Sequence, residues 1–276
     1  MSSQARVEGA ADGESGGPRW YLWDGGFFAI GKSEGLVPPH AHHAIQIVLG
    51  ITGEVHISAE GEDWRSGRGI IVLPDVVHRY NGNSAVGAMI FVDPESAEGV
   101  WLRKTVGKDI TIVPDARVDA AAVELRRFME TPLDAMTIRD LIRHCVSVLC
   151  AGVPPARHLD PRVTTVLKAI RDSGDLRIAV ETAAASAYLS PSRFQHLFKQ
   201  QVGLPFRRYM LWRKLTRAML SIGRERTLAA AAQASDFSDA AHLTRTFYQM
   251  FGLPPSVMMR GEFFVIDSPF ESSEAG

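Results

Sequence analysis

Leu189–Pro205, LSPSRFQHLFKQQVGLP, is the stretch on which the reading of this chain turns. Ser190 stands where a helix N-cap accepts a free backbone N–H, and Pro191 follows at the first helical position, where a missing N–H costs nothing. In the helix beyond them Phe194, Leu197 and Phe198 recur at three and four. That spacing turns them to a core and leaves Ser192, Arg193, Gln195, His196 and Lys199 outward.

The pattern returns about fifty residues later as DFSDAAHLTRTFYQMFGLPP. Ala183 and Ala184 align with Ala231 and Ala232, Leu189 with Phe237, Phe194 with Leu243, Phe198 with Phe247 and Gly203 with Gly252, and the second turn has one extra residue. Two copies of helix, tight turn and helix result, with alanine runs before each turn that let the paired helices pack closely. In the second copy Leu243, Phe247 and Phe251 turn inward. His242, Arg245 and Gln249 turn outward, and Ala240 and Ala241 keep the helix start slim. Arg and Gln can each bond two atoms of a guanine or adenine edge in the major groove, and Lys can meet a phosphate. The candidate DNA-reading residues are therefore Ser192, Arg193, Gln195, His196, Lys199, Ala240, Ala241, His242 and Arg245.

The charge distribution agrees. The net charge of −1 conceals 16 Lys and Arg against 7 Asp and Glu from Ala156 to Arg260, and 14 against 20 in residues 1–155. A basic half joined to an acidic one fits a nucleic-acid reader attached to another module. Together with WRKLTRAMLSI, which links the copies, these words resemble the C-terminal domain of the AraC/XylS transcription regulators over about a hundred residues. The resemblance implies two helix-turn-helix units on a long central helix, reading adjacent major-groove segments of double-stranded DNA. Asp236 departs from it, standing where the family usually has glycine. Aspartate tolerates the left-handed conformation better than most residues, so the turn survives at some cost.

Upstream, WYLWDGGFFAIG, AIQIVLGITGEVHIS, GRGIIVLP and VGAMIFVD are short β-branched or alternating runs bounded by turn residues, which predicts an antiparallel barrel or sandwich. VPPHAHHAIQIVLGITGEV holds His40, His42 and Gln46, and LPDVVHRY holds His78. These look like the paired cupin motifs, in which two histidines, an acid and a later histidine line a small barrel. Period-two spacing sends His40 and His42 to one face of a strand. Metal-binding cupins usually carry glutamate where Gln46 stands. The expectation is therefore an effector pocket lined by His40, His42, Gln46 and His78 for a polar or anionic small molecule, with no metal, cofactor or catalytic residue; an iron, nickel or zinc ion on the three imidazoles and the amide oxygen, or a purely structural hydrogen-bonded set, are the alternatives, and His43 and His56 read as ordinary strand or surface residues.

Two amphipathic helices follow, the second with Ile138, Leu141, Ile142, Cys145, Val148 and Leu149 on one face. In the family such helices pair subunits, so the Leu141, Cys145, Val148 stripe is a candidate homodimer surface, with packing on the chain's own barrel as the alternative. AGVPPARHLDP then breaks the pattern. The chain divides into a flexible arm (1–18), a cupin-like barrel (19–115), dimerisation helices (116–151), a linker (152–160), an all-α DNA-binding domain (161–260) and a tail (261–276), an α+β two-domain fold. The tail carries Phe263, Phe264, Val265 and Ile266, whose one evident use is docking on a neighbouring surface.

No run of about 18 apolar residues is present, and the N-terminus lacks the apolar core of a secretory signal. Two cysteines inside an apolar helix make no disulfide framework. The chain thus reads as a cytoplasmic, non-enzymatic regulator with DNA, a small-molecule effector, a second copy and RNA polymerase as partners. A metal-dependent cupin enzyme with a DNA-binding regulatory domain and an effector-independent DNA-binding protein are the alternatives.

Overall fold

The computed structural model describes residues 6–7, 18–23, 26–33, 35–127, 135–152 and 159–265. The N-terminal part is built from β1 (Arg6–Val7), β2 (Arg19–Trp23), β3 (Gly26–Lys32), β4 (Leu36–His40), β5 (Ile45–Thr52), β6 (Val55–Ala59), β7 (Arg65–Gly67), β8 (Gly69–Val72), β9 (His78–Asn81), β10 (Val86–Val92), α1 (Ala97–Val106), β11 (Ile110–Val113), α2 (Asp115–Arg127) and α3 (Ala135–Cys150). A four-stranded sheet in the order β4-β9-β6-β7 faces a larger one, in which β3-β10-β5-β8-β11 are neighbours. β5 lies between β10 and β8 and is covered on both faces, which is why IQIVLGIT is apolar almost throughout. Its Ile47, Leu49 and Ile51 join a core with α2 and α3, while Val48 faces the four-stranded sheet. The period of two therefore carries Gln46 into the space between the sheets.

α1 was not legible in the sequence. Its Ser96 cap accepts from the Gly99 N–H at 2.9 Å, but its apolar residues Val100, Trp101, Leu102 and Val106 do not form a clear stripe. The stripe on α3 did form, and it takes the alternative of packing within its own domain. Leu141 and Cys145 are buried in the same core as Ile47, Leu49 and Ile90. Val148 is half-buried.

The C-terminal part comprises α4 (Pro161–Ser173), α5 (Val180–Ser186), α6 (Pro191–Val202), α7 (Phe206–Glu225), α8 (Leu228–Ala234), α9 (Ala240–Phe251), a 3₁₀ turn (Pro255–Arg260) and β12 (Glu262–Val265). α7 joins two small cores. Its Phe206, Tyr209 and Met210 pack with Phe194 and Phe198, and its Trp212, Leu215 and Met219 pack with Leu243, Phe247 and Phe251. The second core continues into the β-rich part: Phe27 and Phe91 stack at 4.2 Å, and Phe91 meets Phe251 edge-on at 6.0 Å.

The tail has a definite place. β12 pairs in parallel with β2, with Phe263 opposite Trp20 and Phe264 opposite Tyr21, and β1 pairs antiparallel on its other side. Phe263 is buried and Phe264 stacks on Tyr21 at 4.9 Å. Arg6–Val7, expected within a flexible arm, is thus a sheet edge; the remaining residues of 1–17 and Ile266 lie outside the described residues, as does 153–158 of the expected linker.

Candidate nucleic-acid interface and buried histidine site

α6 and α9 each start from a side-chain cap. Ser190 Oγ accepts from the Arg193 N–H at 3.4 Å, and Asp239 Oδ1 accepts from the His242 N–H at 2.7 Å. Ser192, Arg193, Gln195, His196 and Lys199 are exposed on α6, as are Ala241, His242 and Arg245 on α9; Ala240 is half-buried. The His242 ring is partly anchored, standing edge-on to Phe237 at 5.2 Å with Nδ1 3.1 Å from Ser238 Oγ.

The turns before these helices match. Tyr188 and Asp236 both take the left-handed conformation, at φ 54° and 60°, and the following N–H bonds back to Ala184 O and Ala232 O at 2.9 Å. Asp236 is held by Lys214 Nζ at 2.6 Å and by Arg177, and these partners keep its carboxyl below the usual carboxylate range. Tyr188 carried no signal of its backbone state, because tyrosine has no special tolerance of it.

Between the two sheets His40, His42 and His78 come together, all buried, with one ring nitrogen from each within 4.8 Å of the others. They converge by a different route from the one expected. β4 ends at His40, and His42 stands in the following loop, so strand alternation does not align the pair. Each ring has Nδ1 on a backbone carbonyl: His40 on Pro38 at 2.9 Å, His42 on Ala44 at 2.8 Å and His78 on Val76 at 2.9 Å. Burial disfavours the charged form of all three. It pulls His40 to about 4, with His78 alongside adding to the effect, and it lowers His42 and His78. A neutral imidazole that donates through Nδ1–H has a lone pair at Nε2. Gln46 Oε1 lies 2.9 Å from Nε2 of His42 and 3.1 Å from that of His78, and the Gln46 NH₂ donates to Met89 Sδ at 3.4 Å.

His40 and Gln46 also line a cavity of about 70 Å³. His42 and His78 stand behind them and are not among the residues lining it. Its wall comes from both halves of the molecule, with Trp20, Phe27, Met89 and Phe91 on one side and Phe247, Phe251 and Met258 on the other. The lining is overwhelmingly apolar.

His43, read as ordinary, is buried. Its Nδ1 donates to Asp75 at 2.6 Å, and Asp75 bonds Arg208 of α7 at 2.7 Å, so the group joins the two halves. His56 bonds Ser66 at 2.6 Å in an exposed position. The C-caps of both candidate reading helices also rest on the N-terminal part. Gly252, at φ 68°, leaves no room for a side chain: a Cβ would come within 2.6 Å of Val37 and 2.9 Å of His40 Nδ1. Gly203, at φ 91°, stands beside the guanidinium of Arg103 of α1, a long side chain that can move aside.

Residues 183–261 match the family model described as a helix-turn-helix domain. The chain is 23% identical over 235 residues to the probable transcriptional regulator LumQ of Photobacterium leiognathi, covering 82% of this chain and 92% of that one. In fold it is similar to apo ToxT K231A from Vibrio cholerae, with a TM-score of 0.58 at 8% identity over 87% of this chain and 99% of the other. It is also similar to ToxT from the same organism bound to an unsaturated fatty acid, with a TM-score of 0.53 at 10% identity over 84% and 95%. Among the described residues no helix is long and apolar enough to cross a membrane. Behind a β-rich domain the chain thus carries a helix-turn-helix domain, and over most of its length it is similar to a probable transcriptional regulator.

Proposed function

We propose that this chain is a transcription regulator of the AraC type that responds to a small apolar molecule with one polar end, held in the cavity between its two domains, and that α6 and α9 read DNA through the exposed residues named above. The observation that carries the reading is the shared wall of the cavity. Phe247 and Phe251 are the core side of α9, so an occupant touches the second reading helix directly. A ligand that fits one placement of α9 better than another shifts the population competent for DNA by that difference in affinity. The fatty acid bound by the Vibrio cholerae protein supports this class of ligand. The chain acts by binding, without a catalytic step, and works in the cytoplasm where its DNA is.

The test is DNA binding by the full-length protein on a selected operator, with and without a long-chain fatty acid. Met89→Trp, which fills the cavity, is expected to remove the ligand's effect and leave DNA affinity near the unliganded value. A full ligand response in the filled variant would place the effector elsewhere.

A further inference from the structure

Asp236 makes the left-handed turn before α9, a backbone state that glycine would adopt with no side chain at all. Its carboxylate is therefore not needed by the turn, and it reaches out of its own helix-turn-helix unit. Oδ2 accepts from Lys214 Nζ of α7 at 2.6 Å, the Asp236 carbonyl accepts from the same Nζ at 3.3 Å, and Oδ1 accepts from Arg177. Arg177 belongs to the other unit: it lies between α4 and α5, 59 residues away in the chain.

The two units have separate cores, and α7 passes from one to the other between Met210 and Trp212. Lys214 stands just beyond that crossing. A groove lined by Ile178, Phe206 and Met210 runs between the α4–α5 loop and α7, with Arg177 and Lys214 also on its walls. Apolar packing leaves the two walls apart there, and Asp236 joins them from the second unit. The Lys214 pair is the stronger tie, since Asp236 and Lys214 are both half-buried while Arg177 is exposed and its pair more screened.

We propose that Asp236 is a positioning residue whose carboxylate sets how α6 and α9 stand relative to each other, and through that the spacing between the two groups of bases that one molecule reads. One base pair added between those groups moves the second by about 3.4 Å along the DNA and turns it by about a tenth of a helical turn. A pair of reading helices held in one relation rejects that change, and a loosely joined pair follows it. The spacing half of the proposal rests on the reading of α6 and α9 as DNA readers; the positioning half does not.

The experiment makes two measurements on the full-length protein. In the first, Gln200→Cys on α6 and Gln249→Cys on α9, both exposed, carry spin labels, while the native Cys145 and Cys150 are buried. The distribution of label distances is expected to be narrow in this parent and broader in Asp236→Gly and in Lys214→Met. Asp236→Gly suits the left-handed turn better than the parent does, so a broken turn is not the cause of its effect. In the second, affinity is measured on an operator selected from a random pool and on versions with one base pair added or removed between the two footprinted groups. The penalty for altered spacing should be about fivefold smaller in Asp236→Gly than in wild type. Adding Lys214→Met to it should relax the spacing no further, since both act through one bridge.

Unchanged label distances in both variants would overturn the positioning role and leave Asp236 a turn residue. Affinity raised alike on every sequence, with the spacing penalty intact, would overturn the spacing half and make Asp236 a neutraliser of Lys214 and Arg177. Broader distances in a protein whose binding is indifferent to Gln195→Ala and to Arg245→Ala would overturn the reading role of the helices and leave the positioning role standing.

Discussion

Gln195 and His196 project from α6 into solvent on the face opposite Phe194 and Phe198, the position from which a base edge is reached. Replacing either by Ala is expected to cost about 1 to 3 kcal/mol on a selected operator and much less on random DNA. Arg245→Ala on α9 should do the same for a separate group of bases in footprinting. Lys199, further along α6, is placed for a phosphate. Its loss should weaken all sequences alike and lower the slope of log affinity against log salt by about one unit, measured by titration at several salt concentrations. Equal losses on specific and random DNA for all four changes would make these helices electrostatic anchors only.

At the level of elements, the two turns reach one backbone shape by different chemistry. Tyr188 is 94% exposed and left-handed, so its side chain adds little packing to offset the conformational cost. Tyr188→Gly should raise stability by about 1 kcal/mol, read from thermal or denaturant unfolding. Asp236 has the same backbone but is tied to Lys214 and Arg177. Because those partners lower its folded pKa, their contribution is present above the unfolded value near 3.8 and is lost as pH falls through the folded value. The difference in melting temperature between wild type and Asp236→Asn should therefore be largest near neutral pH and close as pH drops below about 3.8. A gap that stays constant with pH would assign the effect to the turn alone.

Across the whole molecule, the two domains are joined by an apolar core and by β12, which crosses from the DNA-binding part into the sheet of the other. Phe263 is 3% exposed, faces Trp20 at 6.4 Å and lies under the Arg226 guanidinium at 5.1 Å. Phe263→Ala should cost about 3 to 5 kcal/mol. Since that loss falls on the junction, calorimetry should resolve one unfolding transition of the parent into two in the variant. This packing also gives the proposed switch its mechanics. The C-cap glycine of α9 rests on the sensor side, at Val37 and His40, so a shift of that domain moves α9.

The repeat is legible in the amino-acid order alone because its chemistry is local. Caps such as Ser190, the three-and-four spacing of Phe194, Leu197 and Phe198, and the alanine runs that precede each turn act within a few residues, and α6 and α9 follow them. The strands are legible for the same reason, since β5 states its double burial in its own composition. Four things were settled only by tertiary packing. Leu141 and Cys145 look alike whether they face a second subunit or their own domain, and the packing of α3 on α1 and α2 placed them in the core shared with Ile47, Leu49 and Ile90. Phe263 to Val265 reads as a loose apolar end until the free edge of β2 gives it hydrogen-bond partners. His43 takes its role from Asp75 and Arg208, which are distant in sequence. The apolar cavity beside His40 and Gln46 was not legible because those residues are near in sequence while most of its wall, from Trp20 to Met258, is gathered from two domains, and no local pattern records which surfaces will meet.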